Sequence, residues 1–324
     1  FNSFMLAKPI DDKILTQEPK EFIAEYKWDG IRAQINTSQK FKIFSRNSED
    51  ITNSFPELIM KNDNHYDLDG EIVIKKENKI LSFNNLQKRI RRKNVSKNLL
   101  VDYPAHFIAY DIIYFNGKKC TNLSLLERKK LFNKFFSYFS SRNYSLSPII
   151  PFSNWECLES IKSNSLNNHI EGLMVKRSSS LYEKGRVSNS WYKWKRKPFI
   201  IDFILIYAQR GHGKRSSFYS DFTFGCWVDN GLKELVPVGK AYSGFTNDEL
   251  DKLDRWVRSN TVEKFGPVRS LKPGLVIEVA FDNINFSERH KSGVALRFPR
   301  FNRIRWDKPI EDVCILQDIK SLIN

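Results

Sequence analysis

The sequence has little of what disulfide-bonded, zinc-binding or membrane-spanning proteins are built from. Its four cysteines, Cys120, Cys157, Cys226 and Cys314, are widely separated, and none has a histidine at metal-ligand spacing. We therefore expect neither a zinc site nor a disulfide framework, and the pattern is typical of a reducing cytoplasm. No apolar run approaches the roughly 20 residues that span a bilayer, and the N-terminus has no signal pattern, so we expect no membrane association.

Positive charge, by contrast, is in excess. The 324 residues carry a formal net charge of +16, and the isoelectric point is about 9.6. Because the positive residues also cluster, this charge indicates a polyanionic partner, for which nucleic acid is the usual candidate. The length suits two domains, and 41% hydrophobic and 14% aromatic residues suffice to fill their cores. We expect the protein to act as a monomer.

The two halves of the chain differ in their patterns. In the first half, residues 71–74, 106–110 and 172–175 are short apolar runs typical of buried strands. Ser124 and Glu127 have capping-box spacing, and the phenylalanines after them recur at helical intervals, which predicts a helix that fills a core. Beyond Pro198 the sequence predicts a small β-barrel with one clear helix, residues 247–258, and strands at residues 201–207, 222–228, 235–238 and 275–281.

The most informative segment, residues 25–32, reads Glu-Tyr-Lys-Trp-Asp-Gly-Ile-Arg. Alone it is weak, because most such lysines are solvated surface residues. Further motifs follow it in order, at residues 44–47 (Phe-Ser-Arg-Asn), 69–71 (Asp-Gly-Glu), 109–117, 171–176 (Glu-Gly-Leu-Met-Val-Lys), 191–195, 296–301 (Leu-Arg-Phe-Pro-Arg-Phe) and 303–308. Together they resemble the nucleotidyltransferase superfamily of ATP-dependent DNA ligases, RNA ligases and mRNA capping enzymes, and the last two match DNA ligases closely.

The resemblance implies an α+β fold: a nucleotidyltransferase (adenylation) domain, residues 1–198, followed by an OB-fold domain, residues 199–324. Residues 86–89 and 290–296 are similar to a bacterial branch of DNA ligases, whose members often carry a further N-terminal DNA-binding domain. Residues 1–9 resemble the segment that follows this domain. We expect the DNA-binding domain itself to be absent from this chain. Two alternatives stay open: an RNA ligase or capping-type enzyme, and a non-catalytic nucleic-acid-binding protein of the same fold.

The resemblance also implies a three-step reaction: ATP adenylates Lys27, AMP passes to the 5′-phosphate of nicked double-stranded DNA, and the 3′-hydroxyl displaces AMP. Lysine is a nucleophile only when deprotonated, and its ordinary pKa is ~10.4. We expect Lys193, Lys195 and Mg²⁺ (or Mn²⁺) to favour the neutral amine and to stabilise charge on phosphate oxygens. Glu71 and Glu171 are the expected metal ligands, because hard cations prefer carboxylates.

Other side chains receive roles by the same resemblance. Tyr110 would stack on adenine, although a plain core tyrosine is the alternative, and Arg32 would contact the ribose. The remaining cofactor-binding residues are Glu25, Lys176 and, again, Glu71. The expected catalytic residues are Lys27, Asp29, Lys193, Lys195, Arg305, Asp307 and Lys308. The last three would act on the pyrophosphate during adenylation, with the second domain closing over ATP about a hinge near residues 197–198.

Several basic residues are expected to contact DNA. The run at residues 88–93 supplies Arg89, Arg91 and Arg92, which track phosphates in this interpretation and lie on a solvated helical face in the alternative one. Residues 211–216 fail the spacing of a phosphate loop and are read as a basic loop near DNA. The remaining expected DNA contacts are Arg46, Lys214, Arg215 and Arg303. His290 is also expected to contact backbone or phosphate rather than to act in acid–base catalysis.

Overall fold

The computed structural model describes residues 2–60, 64–164, 169–211, 213, 216–229 and 234–323. It divides into two compact units, Phe1–Arg196 and Lys197–Asn324, close to the boundary expected at Pro198. Among the described residues, no helix combines the length and the apolar character needed to cross a membrane.

The first unit contains two β-sheets. Its strands are β1 (Lys8–Pro9), β2 (Phe22–Trp28), β3 (Ile31–Asn36), β4 (Lys42–Ser45), β5 (Asp67–Lys76), β6 (Lys79–Ile80), β7 (Ala105–Phe115), β8 (Lys118–Lys119), β9 (Tyr144–Leu146), β10 (Ile149–Ile150), β11 (Ile170–Arg177) and β12 (Trp191–Lys195). Its helices are α1 (Asp12–Leu15), α2 (Phe83–Gln87), α3 (Lys97–Asp102), α4 (Leu125–Tyr138) and α5 (Trp155–Asn164). One sheet has the order β1-β12-β11-β2-β10, and the other has β4-β3-β5-β7-β8, with β6 on β5 and β9 on β7.

Helix α4 forms where the sequence predicts it. Ser124 caps its N-terminus by accepting from the backbone N–H of Glu127, whose side chain accepts from the backbone N–H of Ser124 in return. This capping box is worth about 1 kcal/mol. Phe132 and Phe135 on the helix are buried in one hydrophobic cluster with side chains of β3, β5 and β7. The prediction of a capped, core-filling helix is thus confirmed.

Alternation along the strands separates apolar from polar side chains. On β2, Ala24 and Tyr26 pack into a cluster that includes helix α5, so Glu25 and Lys27 lie on the opposite face. The same alternation on β11 and β12 places Met174, Lys176, Lys193 and Lys195 on that face. On β3 and β5 it places Arg32, Asp69 and Glu71 on the face opposite the α4 cluster. Met174 and Trp191 pack with Tyr110 and Ile113 of the other sheet, so these two faces meet.

The second unit is built mainly of antiparallel strands. They are β13 (Phe199–Arg210), β14 (Tyr219–Trp227), β15 (Leu235–Ala241), β16 (Thr261–Phe265), β17 (Val268–Leu271), β18 (Val276–Phe281), β19 (Asn283–Phe286), β20 (Val294–Arg297) and β21 (Arg300–Arg305). Two helices accompany them, α6 (Asn247–Asn260) and α7 (Leu316–Ser321). The sequence predicts α6 but not the short α7.

Strand β13 organises this second unit. Its first half pairs with β18 and its second half with β17, while β14 runs along its other edge. A strand shared in this way bends the sheet around a core, where Phe203, Phe222, Phe224 and Phe281 are fully buried. Helix α6 closes that core with Leu253 and Val257 and other apolar residues of one face. This arrangement agrees with the small barrel expected from the sequence.

The buried His106 on β7 generates a prediction about stability and pH. Burial, together with the nearby charge of Lys75, lowers the pKa of His106 to about 4, and the His106 Nε2 lies 2.8 Å from Ser145 Oγ. The unfolded chain, in which the histidine pKa is about 6.5, therefore binds the proton more readily. We expect this residue alone to remove about 3 kcal/mol of stability as the pH falls from 7 to 4.

Urea unfolding of the wild type and of His106→Gln at both pH values measures this effect. The variant should lose about 3 kcal/mol less stability between them than the wild type does. Equal losses would show that His106 does not sense the proton in the folded state.

Candidate active site

Lys27 lies near the end of β2 and forms an ion pair with Glu171 of β11, to which its Nζ donates a hydrogen bond. The two side chains are 24% and 20% exposed, so the pair is accessible to a ligand. The facing surfaces of the two sheets, with Lys27 and Glu171 on one and Arg32 and Glu71 on the other, form the cleft of the first unit. Asp29, in the turn that follows, is buried, and its backbone N–H donates to the carbonyl of His169 at 2.9 Å. Residues 27–29 are therefore held in place by two contacts, one from the side chain of Lys27 and one from the backbone of Asp29.

A β-bulge directs Glu171 towards Lys27. The register between β11 and β2 shifts between Ile170 and Gly172, so Glu171 is the extra residue. Gly172 has φ +142°, and a Cβ atom there would lie 2.3 Å from the carbonyl oxygen of Trp194. Only glycine fits this position, which is the physical reason for a glycine directly after the glutamate.

Glu71 on β5 reaches the same place from the other sheet. The close approach depends on Gly30, where a Cβ atom would lie 2.3 Å from the Ile72 carbonyl oxygen and 2.7 Å from Glu71 Cγ. The pKa of Glu71 is raised to about 8, mainly by burial and also by the nearby Glu171, while Lys27 and Arg32 oppose the rise. Two carboxylates, one from each sheet, thus lie close enough to repel each other beside Lys27.

This pair of carboxylates fits a divalent cation. The described residues contain no cluster of three or more His, Cys, Asp or Glu side chains suited to a metal. Mg²⁺, however, is commonly held by one or two carboxylates, with phosphate oxygens and water completing its shell. A cation would also offset the repulsion that raises the pKa of Glu71.

Positive side chains surround the same end of the cleft. Burial lowers the pKa of Lys193 on β12, and nearby Lys195, Arg186, Lys27 and Arg46 lower it further. The structure therefore brings together three expected catalytic lysines and Arg46, which is expected to touch DNA. Arg186 was not singled out from the sequence, because it lies in a loop between the recognised motifs. Such a cluster is suited to phosphate groups.

A second part of the cleft carries the residues expected to hold the nucleoside. Lys176 Nζ lies 4.6 Å from the ring centroid of Tyr110 and 4.3 Å from that of Trp191. Arg32 donates to both carboxylate oxygens of Asp69, at 3.1 and 2.7 Å, and its guanidinium lies 5.8 Å from the same two rings. Tyr110 is partly buried and packs against a hydrophobic cluster that includes Trp191, so the alternative of a plain core tyrosine stays open. Its stacking role stays a prediction.

Glu25 is buried beneath this region, and one of its two partners, Lys129, belongs to none of the sequence motifs. Glu25 is 1% exposed, and it accepts from Lys176 and from Lys129 of α4, each at 2.5 Å. Lys129 occupies the buried face of α4, at helical spacing from Leu125 and Phe132. A lysine at an apolar position of an amphipathic helix was the available signal, and it was overlooked.

The basic run at residues 88–93 corrects one expectation. Arg89 is fully buried and donates to both carboxylate oxygens of Glu57, at 2.7 and 2.9 Å, and to the carbonyls of Ser54 and Tyr103. Its expected phosphate contact is therefore wrong, because its guanidinium is used inside the protein. Arg91 and Arg92 are exposed in the turns after α2, not on a helical face.

The second unit holds the C-terminal motif. Arg305 donates to both carboxylate oxygens of Asp307, at 3.1 and 3.0 Å, and Lys308 Nζ lies 2.8 Å from Asp202 Oδ2. Asp202 also pairs with Arg305 at 3.6 Å and was missed from the sequence. Arg303 is exposed, whereas Lys214 and Arg215 lie outside the described residues.

Comparisons with known proteins identify the family. Residues 4–195 match the family described as "ATP dependent DNA ligase domain", and residues 215–308 match "ATP dependent DNA ligase C terminal region". The chain belongs to the ATP-dependent DNA ligase family. It is 38% identical to a probable DNA ligase of Koribacter versatilis over 98% of this chain and 59% of that protein. It is 34% identical to DNA ligase 2 of Methanosarcina mazei over 93% of this chain and 54% of that protein.

The solved structures agree on the fold. A Lig E DNA ligase structure superposes with a TM-score of 0.67 at 18% identity, covering 94% of this chain and 100% of that one. The expected fold class of this ligase-family chain, a nucleotidyltransferase domain followed by an OB-fold domain, is confirmed. The chain spans little more than half the length of the curated relatives described above.

The contrast between Arg89 and Arg91 can be tested by substitution. Arg89→Met leaves Glu57 and two backbone carbonyls without their partner, so we expect it to remove about 3–5 kcal/mol of stability. Arg91→Met changes an exposed side chain and should alter stability by less than about 0.5 kcal/mol. Urea unfolding of both variants measures the difference. If Arg89→Met lowers stability as little as Arg91→Met does, Arg89 is not held by buried contacts and its expected phosphate contact is restored.

Proposed function

We propose that this chain seals nicks in double-stranded DNA through adenylation of Lys27 by ATP. The observation that carries the proposal is the position of Lys27, which lies beside two carboxylates and a cluster of cations in the cleft of the first unit. Membership of the ATP-dependent DNA ligase family supports the choice of ATP and DNA as substrates.

The proton on Lys27 must leave before its amine can attack the α-phosphate. The ion pair with Glu171 occupies the ammonium group of Lys27, so it describes a resting enzyme. Lys27 and Arg46 both lie close enough to Lys193 to lower its pKa, so positive charge is concentrated where the phosphates of ATP would bind. We infer that the amine becomes reactive once Glu171 no longer holds it.

Glu71 and Glu171 would hold a divalent cation in this proposal. When bound, that cation would neutralise charge on the phosphate oxygens of ATP. Lys193 and Lys195 would orient the same phosphates, because ammonium groups pair with them as point charges. Tyr110 would offer its ring to the adenine, and the bidentate pair with Asp69 would hold Arg32 beside the ribose.

The DNA substrate is supported by charge as well as by family. The net charge of +16 favours association with a polyanion, and Arg46, Arg91, Arg92 and Arg303 are proposed to contact its phosphates. Such contacts carry no sequence information, which suits an enzyme that joins nicks in any sequence.

Covalent labelling tests the nucleophile. The chain is incubated with α-labelled ATP and magnesium, and acid-stable label on the protein is measured before and after addition of nicked DNA. Lys27→Ala removes the amine, and Lys27→Arg replaces it with a guanidinium that stays protonated, so neither should be labelled. Lys20→Ala, which changes an exposed lysine of the same unit, should be labelled normally. Label on either Lys27 variant would show that another residue is the nucleophile, and label that does not transfer to DNA would contradict nick sealing.

The metal proposal makes a prediction about pH. Below a pKa of about 8, a cation must displace a proton from Glu71, so metal affinity should weaken as the pH falls. We expect the Mg²⁺ concentration for half-maximal labelling to drop up to tenfold per pH unit from about 6.5 to 8 and to level off above. In Glu71→Gln this trend should vanish and labelling should fall strongly. A Mg²⁺ midpoint that is constant with pH in the wild type would contradict the role of Glu71.

A further inference from the structure

Lys129 makes two contacts that join the sheets of the first unit. Its Nζ donates to Glu25 Oε1 at 2.5 Å and to the backbone carbonyl oxygen of Tyr110 at 2.6 Å. Glu25 belongs to β2 in one sheet, and Tyr110 belongs to β7 in the other. A single ammonium group therefore connects two residues that are proposed to bind the nucleotide.

The contacts are made where water competes weakly. The side chain of Lys129 is 8% exposed, and that of Glu25 is 1% exposed. Hydrogen bonds between buried charged groups are strong and sensitive to geometry, so they restrict how far the two sheets can shift. Lys176, the other partner of Glu25, lies over the ring of Tyr110. The four residues Lys129, Glu25, Lys176 and Tyr110 are therefore connected by a closed set of contacts.

We propose that Lys129 is a positioning residue for the nucleotide: it holds the Glu25 carboxylate and the Tyr110 ring at the separation that a nucleoside between them requires. This inference rests on the function proposed above for the same cleft. Lys129 lies on the buried face of α4, and its hydrogen bonds go to Glu25 and Tyr110, which are both proposed to bind the nucleotide. It would act on the nucleoside rather than on the phosphates.

A purely structural role and a purely electrostatic role of Lys129 each predict a different result. If Lys129 only supports the fold, its loss lowers stability without a selective effect on nucleotide binding. If it acts only as a positive charge, its loss weakens every polyphosphate alike, because Coulomb forces do not recognise the nucleoside. A positioning role predicts weaker binding of the nucleotide together with unchanged binding of a polyphosphate that has no nucleoside.

Calorimetry on the 324-residue chain separates these outcomes. The probes are α,β-methylene-ATP, which cannot adenylate the lysine, and inorganic tripolyphosphate. Lys129→Met should raise the Kd for the nucleotide at least tenfold and leave the Kd for tripolyphosphate within twofold. Lys129→Arg, which keeps a cation able to donate to both acceptors, should recover most of the nucleotide affinity. Lys130→Met, a change of the adjacent exposed lysine, is the matched control and should leave both values unchanged.

Three results would overturn the inference: a nucleotide Kd unchanged in Lys129→Met, an equal rise for both probes, or a loss that Lys130→Met reproduces. If Lys129→Met does not fold, Lys129→Gln carries the same test, because its shorter amide can reach only one of the two acceptors.

Failure of the proposed function would give a different result. A wild-type chain that binds the nucleotide but forms no adduct with α-labelled ATP would refute lysine adenylation, while the positioning role of Lys129 would still hold.

Discussion

Burial of charge is the constraint on which the cleft of the first unit depends. A charged group taken out of water is stable only beside an opposite charge and with its hydrogen bonds satisfied. Glu25 meets this condition through two lysines, and Arg32 meets it through both oxygens of Asp69. Glu71 shows the consequence of incomplete compensation, because burial outweighs the nearby cations and raises its pKa to about 8.

These pairings divide the cleft into two parts with different chemistry. Around Lys27 the charges are close together and partly exposed, which suits phosphates and a divalent cation that enter and leave. Around Glu25 they are buried and held by short hydrogen bonds, which suits a fixed surface for a nucleoside. An enzyme that forms a covalent nucleotide intermediate gains from both properties, since a rigid site for the base aligns the phosphate with the amine.

Much of the fold was predictable from local patterns. The capping box of α4, the strands within β5, β7 and β11, and helix α6 all formed where periodicity placed them. Strand β2 was not predicted, and its alternation places Glu25 and Lys27 on one face only once the strand is known. The side chains of the basic run at residues 88–93 were harder to place, because charge alone does not show whether a side chain points into the protein or into solvent. Arg89 turns inwards to Glu57, a residue far from it in sequence, while Arg91 and Arg92 stay outside.

The family and the longer helices α4 and α6 were readable from the sequence, because short motifs and periodic patterns of neighbouring residues specify them. Which charges meet depends instead on the tertiary structure. Lys27 and Glu171 are 144 positions apart, and Lys129 and Glu25 are 104 positions apart. Such pairs form through the packing of two sheets and a helix, and through a bulge that Gly172 alone permits. Their strength depends on burial, which no local pattern of residues specifies.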